Sequence, residues 1–166
     1  MKYLEKLILG SCYGEENTKR VSFLEPIDFT STTNQQLFSA IKTHGGMIEA
    51  IRNRPDLKNY MVAYSTLLGI NNPERLALQL LEITYQRCFA YLLRNLSHNT
   101  TNRLEASMLK EAEEKVFKLD IFDLSDSMVE YLGSQASEYT KERIHKFNNY
   151  RDERAKKAKQ IINEHR

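Results

Sequence analysis

Four histidines, two cysteines and a short acidic run are the residues of this sequence with the most chemistry to offer. A metal site needs such side chains to converge, on a helix at spacings of three or four. His44, His98, His145 and His165 share no such spacing with one another or with a cysteine, and each stands in a polar or loop-like stretch, where a solvated imidazole is expected. Cys12 and Cys88 lie in apolar stretches with no histidine beside them, which predicts inert, buried thiols rather than nucleophiles. Glu111, Glu113 and Glu114 could form an acid cluster, but lysines at 110, 115 and 118 interleave with them and predict a solvated helix face. Gly45-Gly46 is followed by Met47-Ile48, where a phosphate cradle would continue into Gly-Lys-Ser/Thr. The expectation is a non-enzymatic chain with no cofactor, no metal and no small-molecule substrate.

Binding chemistry is better represented. Tyr85, Phe89 and Tyr91 with Arg87 and Arg94 combine aromatic anchors and guanidinium groups, the residue types that carry protein interfaces. Against this stands the expectation that Tyr85 and Phe89 simply close a helix onto its own core. The C-terminal segment offers a second possibility. From residue 141 onward nine Lys/Arg face four Asp/Glu, leaving fifteen basic and eighteen acidic residues for 1–140. Lys141, Arg143, Lys146, Arg151, Arg154, Lys156, Lys157 and Lys159 could line nucleic-acid phosphates, with Tyr139, Phe147 and Tyr150 interleaved. Asp152, Glu153 and Glu164 dilute that patch. A dimerising coil is disfavoured, because Arg143 and Arg154 fall on its would-be seam.

The elements that must carry these residues are helices. Apolar residues make up 41% of the chain and charged residues 28%, with a net charge of +2, a balance that predicts a folded domain rather than disorder. Six glycines and three prolines punctuate the sequence, and between them apolar residues recur at three and four. A first amphipathic helix carries Leu4, Leu7 and Ile8. Leu9-Gly10-Ser11-Cys12 has the outline of a lipoprotein cleavage site, but Glu5 and Lys6 interrupt its would-be apolar core. Glu25-Pro26 stops the next segment. A helix burying Leu37, Phe38 and Ile41 ends at Gly45-Gly46, and a shorter one over 47–53 is closed by Arg54-Pro55. Asp56 is expected to cap a helix over 57–68. Asn72-Pro73-Glu74 opens a long helix whose stripe runs through Ala77, Leu81, Tyr85, Cys88, Leu92 and Leu96, widened by Leu78, Phe89 and Leu93. A loop at 98–102 precedes a helix over 103–118, with Leu104, Met108, Leu109, Ala112 and Val116 on one side and Glu111–Lys115 and Glu114–Lys118 pairs on the other. Ser125 or Asp126 is expected to cap a helix over 128–132, and a long polar helix with a narrow apolar strip follows Gly133. No run approaches the roughly 20 apolar residues of a membrane span, and the free cysteines fit a reducing, cytoplasmic setting.

Three segments taken together resemble the N-terminal domain of the DnaB-type replicative DNA helicase. Leu4-Glu5-Lys6-Leu7-Ile8-Leu9-Gly10-Ser11 is similar to that domain's opening helix, an acid followed by an apolar-apolar-Gly turn. Phe23-Leu24-Glu25-Pro26-Ile27-Asp28-Phe29 resembles its Leu-x-Pro-x-Asp-Phe segment, followed by a polar stretch and a helix like Gln36-Leu37-Phe38-Ser39-Ala40-Ile41. Glu111-Ala112-Glu113-Glu114-Lys115-Val116-Phe117-Lys118-Leu119 resembles the Glu-Ala-Glu-x-x-Val-Phe-x-Ile end of its helical hairpin. The similarity covers roughly residues 1–120 and is thin between Gly46 and Gly69; a basic tail stands where the family continues toward its motor domain. The resemblance implies an all-α fold, with a helical bundle over 1–70 and an antiparallel two-helix hairpin over 71–120 in the same domain; beyond it the chain's own basic tail is expected to form a C-terminal helical extension over 121–166. It implies a module of DNA replication that docks on the replicative helicase or primase as adaptor, loader or regulator, with homo-oligomerisation through the hairpin. ATP hydrolysis is not implied.

Overall fold

A computed structural model describes residues 2–66 and 72–165. Among them there are nine α-helices, three short 3-10 turns and no strand, so the fold is all-α. The chain forms two compact units, Met1–Leu81 with Lys156–Arg166, and Glu82–Ala155. These bounds differ from the divisions at 70 and 120 expected from sequence. Pro73–Asn99 and Glu138–Glu164 are continuous helices, with no glycine or internal proline to break them, and each contributes to both units.

In the first unit, α1 (Lys2–Ser11), α2 (Glu15–Arg20), α3 (Thr32–His44), α4 (Met47–Asn53) and α5 (Lys58–Ser65) enclose Ile8, Leu9, Val21, Leu24, Phe29, Leu37, Phe38, Ile41 and Met61. The proline turn is built as its sequence suggests. Pro26 opens a single 3-10 turn, and the Glu25 backbone N–H donates to Asp28 Oδ2 at 2.8 Å. Phe29 then drops into the core against Phe38, ring centroids 4.8 Å apart. Ser31 caps α3 by accepting from the Asn34 N–H at 3.0 Å, and Gly45 ends it at φ 78°, a conformation that glycine adopts freely. Buried Glu5 ties α1 to this junction. Its carboxylate accepts from the Thr30 N–H and, at 2.7 Å, from the Thr30 hydroxyl. Gly10 has a positional reason too: a Cβ there would lie 2.2 Å from the Tyr64 carbonyl oxygen, so α1 and α5 meet backbone to backbone. Asp56 does not cap α5. It pairs with Arg54 at 2.9 Å, because Pro55 turns residues 55–57 into a 3-10 step and the helix starts afterwards. The expected end of that helix at 67–69 lies outside the described residues.

The long helix α6 (Pro73–Asn99) starts as expected, with the Arg75 N–H donating to Asn72 Oδ1 at 3.1 Å. It runs two residues further than the sequence suggests, so the loop shrinks to residues 100–102 before α7 (Arg103–Lys115). The second unit is completed by α8 (Ile121–Leu132) and by α9 (Glu138–Glu164) as far as Ala155. Three side chains start its helices: Asn102 accepts from the Leu104 and Glu105 N–H groups, Asp120 from those of Phe122 and Asp123, and Ser137 from that of Thr140. Asp120 as cap corrects the expectation of Ser125 or Asp126. Starting the helix at Asp120 lets Ile121 and Met128 be buried together, and Ser125 is then mid-helix and fully buried.

Candidate protein-interaction surface

Tyr85 and Phe89 do not face a partner. At 2% and 0% exposure they form the core of the second unit. The Tyr85 hydroxyl donates to the Arg151 carbonyl at 3.2 Å and its ring meets Phe122 and Tyr150 edge-on. Phe89 lies on Phe147, centroids 4.7 Å apart, which is how the sparse apolar strip of α9 is covered. The physical reason is packing: α9 brings Ile144, Phe147 and Tyr150 to this layer, and the Phe89 and Tyr85 rings of α6 meet Phe147 and Tyr150 there. Arg87 is half-buried, with Nη2 3.4 Å from the Thr84 hydroxyl. Tyr91 and Arg94 do reach the surface. Tyr91 is 67% exposed, and Arg94 pairs with Glu113 of α7 at 2.8 Å.

The basic stretch divides in the same way. Arg151 belongs to the interior: its guanidinium contacts the Ser125 hydroxyl, pairs with Asp126 at 2.8 Å and Asp152 at 2.7 Å, and stacks 4.7 Å over the Phe122 ring. Burial pulls the Arg151 pKa down, but the two carboxylates outweigh it and hold the group above its ordinary value. Arg154 is buried as well, its Nη1 3.0 Å from the Tyr150 hydroxyl. Neither is placed to meet a phosphate. Lys141 and Lys146 are engaged by Glu138 at 3.5 Å and Glu142 at 3.4 Å, and Arg143 stacks 5.0 Å from the Tyr139 ring centre. Lys156, Lys157 and Lys159 are exposed and belong to the first unit.

Two features of the second unit escape the sequence. Glu105, on α7, is buried. Its carboxylate accepts from the Ser137 N–H and the Thr140 hydroxyl, both at 2.8 Å, fixing the start of α9 against α7. The other is a set of large apolar side chains left outside the core: Leu104, Phe117, Leu119 and Tyr131. Leu104 was expected on the buried side. It is exposed in the first turn of α7; at the other end α7 stops at Lys115, which leaves Phe117 (60% exposed), Lys118 and Leu119 (50%) beyond the helix and outside the core. Leu119, Leu124, Met128 and Tyr131, with Ala112 beneath, line a cleft of about 190 Å³ between α7 and α8.

Among the described residues no three His, Cys, Asp or Glu side chains are grouped to hold a metal ion, and no helix is long and apolar enough to cross a membrane. Burial pushes the Cys12 thiol up to about 12. No family model, no curated protein and no solved structure matches the chain.

Proposed function

We propose that this chain is a non-catalytic interaction module of DNA replication that docks on the replicative helicase or its primase as adaptor, loader or regulator. The observation that carries the docking role is the surplus of large apolar groups on the second unit. Tyr91, Leu104, Phe117, Leu119 and Tyr131 are exposed although a complete core of Tyr85, Phe89, Leu93, Leu109, Met128, Ile144 and Phe147 lies beneath them. Scattered exposed leucines are ordinary, but Leu119 and Tyr131 flank one cleft between α7 and α8, and an apolar cleft between helices fits helix-to-helix docking. The replication setting rests on the resemblance of the three segments. It is supported by the way two of them fold, as a buried-acid helix α1 and a Pro26–Asp28 turn leading into α3.

The experiment is a binding measurement with purified replicative helicase and primase, immobilised separately, against the full chain. Binding at micromolar concentration, weakened at least tenfold by Tyr91→Ala with Arg94→Glu or by Phe117→Ser, is expected. Failure of both proteins to bind at 100-fold higher concentration would remove the replication role.

A further inference from the structure

The cleft between α7 and α8 has a specific chemical character. Its floor is Ala112 and Met128, both buried, and its walls are Leu119 and Tyr131, half exposed, with Leu124 between them. An apolar cavity of ~150 Å³ accommodates a benzene ring, and this one holds about 190 Å³. One large apolar side chain therefore fits. The Tyr131 ring is held upright, because its hydroxyl donates to Glu111 Oε2 at 3.2 Å. Glu111 also pairs with Lys115 at 3.3 Å, so the cation that lines the cleft among the described residues is already engaged.

The α8 bank is different. Residues 120–132 contain Asp120, Asp123, Asp126 and Glu130 and no lysine or arginine. Asp126 is taken by Arg151. Asp123 and Glu130 are exposed and have no ion-pair partner among the described residues. Spacings of four and three put Asp123, Ser127 and Glu130 on one line of the helix, beside the line of Leu124 and Tyr131 that walls the cleft. Seven residues of helix separate the two acids by about 10 Å.

We propose that this groove receives an amphipathic helix of a partner protein. The helix places one large apolar side chain in the cleft and two Lys or Arg residues, seven positions apart, against Asp123 and Glu130. The charge excludes an acidic helix, and it disfavours groove-to-groove pairing of two copies, since the groove's own cation, Lys115, is held by Glu111. This assigns partner chemistry to the docking role proposed above and rests on it only for the groove's being a docking surface.

The test uses the full chain and a fluorescein-labelled 18-residue helical peptide with a leucine stripe and lysines seven apart on one flank, next to a version with glutamates in their place. Anisotropy is expected to give at least tenfold tighter binding of the lysine peptide. Asp123→Lys with Glu130→Lys should reverse that preference, and Leu119→Asp should weaken both peptides at least tenfold; all three positions are exposed, and circular dichroism verifies the fold of each variant. A preference that survives the charge swap, or indifference to Leu119→Asp, overturns the proposal. So does self-association of the chain that Leu119→Asp abolishes, because a second copy then fills the groove. Loss of helicase and primase binding leaves these peptide results untouched, so the two readings fail separately.

Discussion

Replacing Gly10 by alanine tests the packing of α1 on α5. The added Cβ would stand 2.2 Å from the Tyr64 carbonyl oxygen and 3.0 Å from its carbon. Comfortable carbon–oxygen contact begins at about 3.3 Å, so the helices must part by about 1 Å. Both opposing atoms are backbone, and no rotamer change can relieve them. Overpacking of this kind costs about 1–3 kcal/mol, and occasionally more. Alanine returns about 1 kcal/mol through its better helix propensity. With the cost at the upper end, the net loss is about 2 kcal/mol, or about 4–8 °C in Tm for a chain of this size. The matched control is Gly14→Ala, where a Cβ meets nothing within 4 Å and stability should change by less than ~0.5 kcal/mol. Urea unfolding of the whole chain gives the stability. Amide exchange of α1 and α5 then localises the loss, and the Tyr64 hydroxyl bond to Asn34, 3.1 Å long, should weaken with it. An alanine variant as stable as the parent, with unchanged protection in α5, would refute the backbone contact.

Two further outcomes are expected. Cys12 keeps its proton to about pH 12 in the fold, whereas an unfolded thiol loses it near 8.5–9. The folded state therefore binds the proton more tightly, its contribution is full below pH 8, and stability should fall by about 1 kcal/mol between pH 9 and 10. Cys12→Ala should flatten that slope relative to the parent in urea titrations at each pH, and equal slopes would contradict the burial of the thiol. Arg151→Ala should destabilise the chain by about 3 kcal/mol, since it leaves Ser125 and the Phe122 face without their partner. It should leave the salt dependence of any duplex-DNA binding unchanged, whereas Lys156→Glu with Lys157→Glu and Lys159→Glu should reduce it; a change on Arg151→Ala at constant fold would return that arginine to the surface.

Much of the fold was legible because helix periodicity and punctuation are local signals. Asn72-Pro73 and Gly45 act where their types predict, and the stripe from Ala77 to Leu96 is largely buried. What remained hidden depends on partners distant in sequence. Arg151 reads as one more cation in a basic run until Asp126, 25 residues earlier, and Phe122 stand around it. Glu105 looks like an ordinary first-turn acid until the start of α9 arrives beside it. For the interaction site, two of the five anticipated residues, Tyr91 and Arg94, are outside, while Tyr85 and Phe89 became core because α9 supplies the opposite wall. The groove had no local signal: it exists because α7 unwinds three residues before Lys118 and Asp120 restarts the helix.

The Glu5–Thr30 and Tyr64–Asn34 ties have a consequence for the order in which the protein is made. They span 25 and 30 residues and lie wholly within the first 64, loops whose closure costs little more than much shorter ones. A nascent chain can thus gather α1 to α5 while the rest is still being translated. Yet Lys156–Arg166 belongs to the same unit and leaves the ribosome only after every residue of Glu82–Ala155. Of these two units, the one that begins assembling first is completed only after the other has emerged.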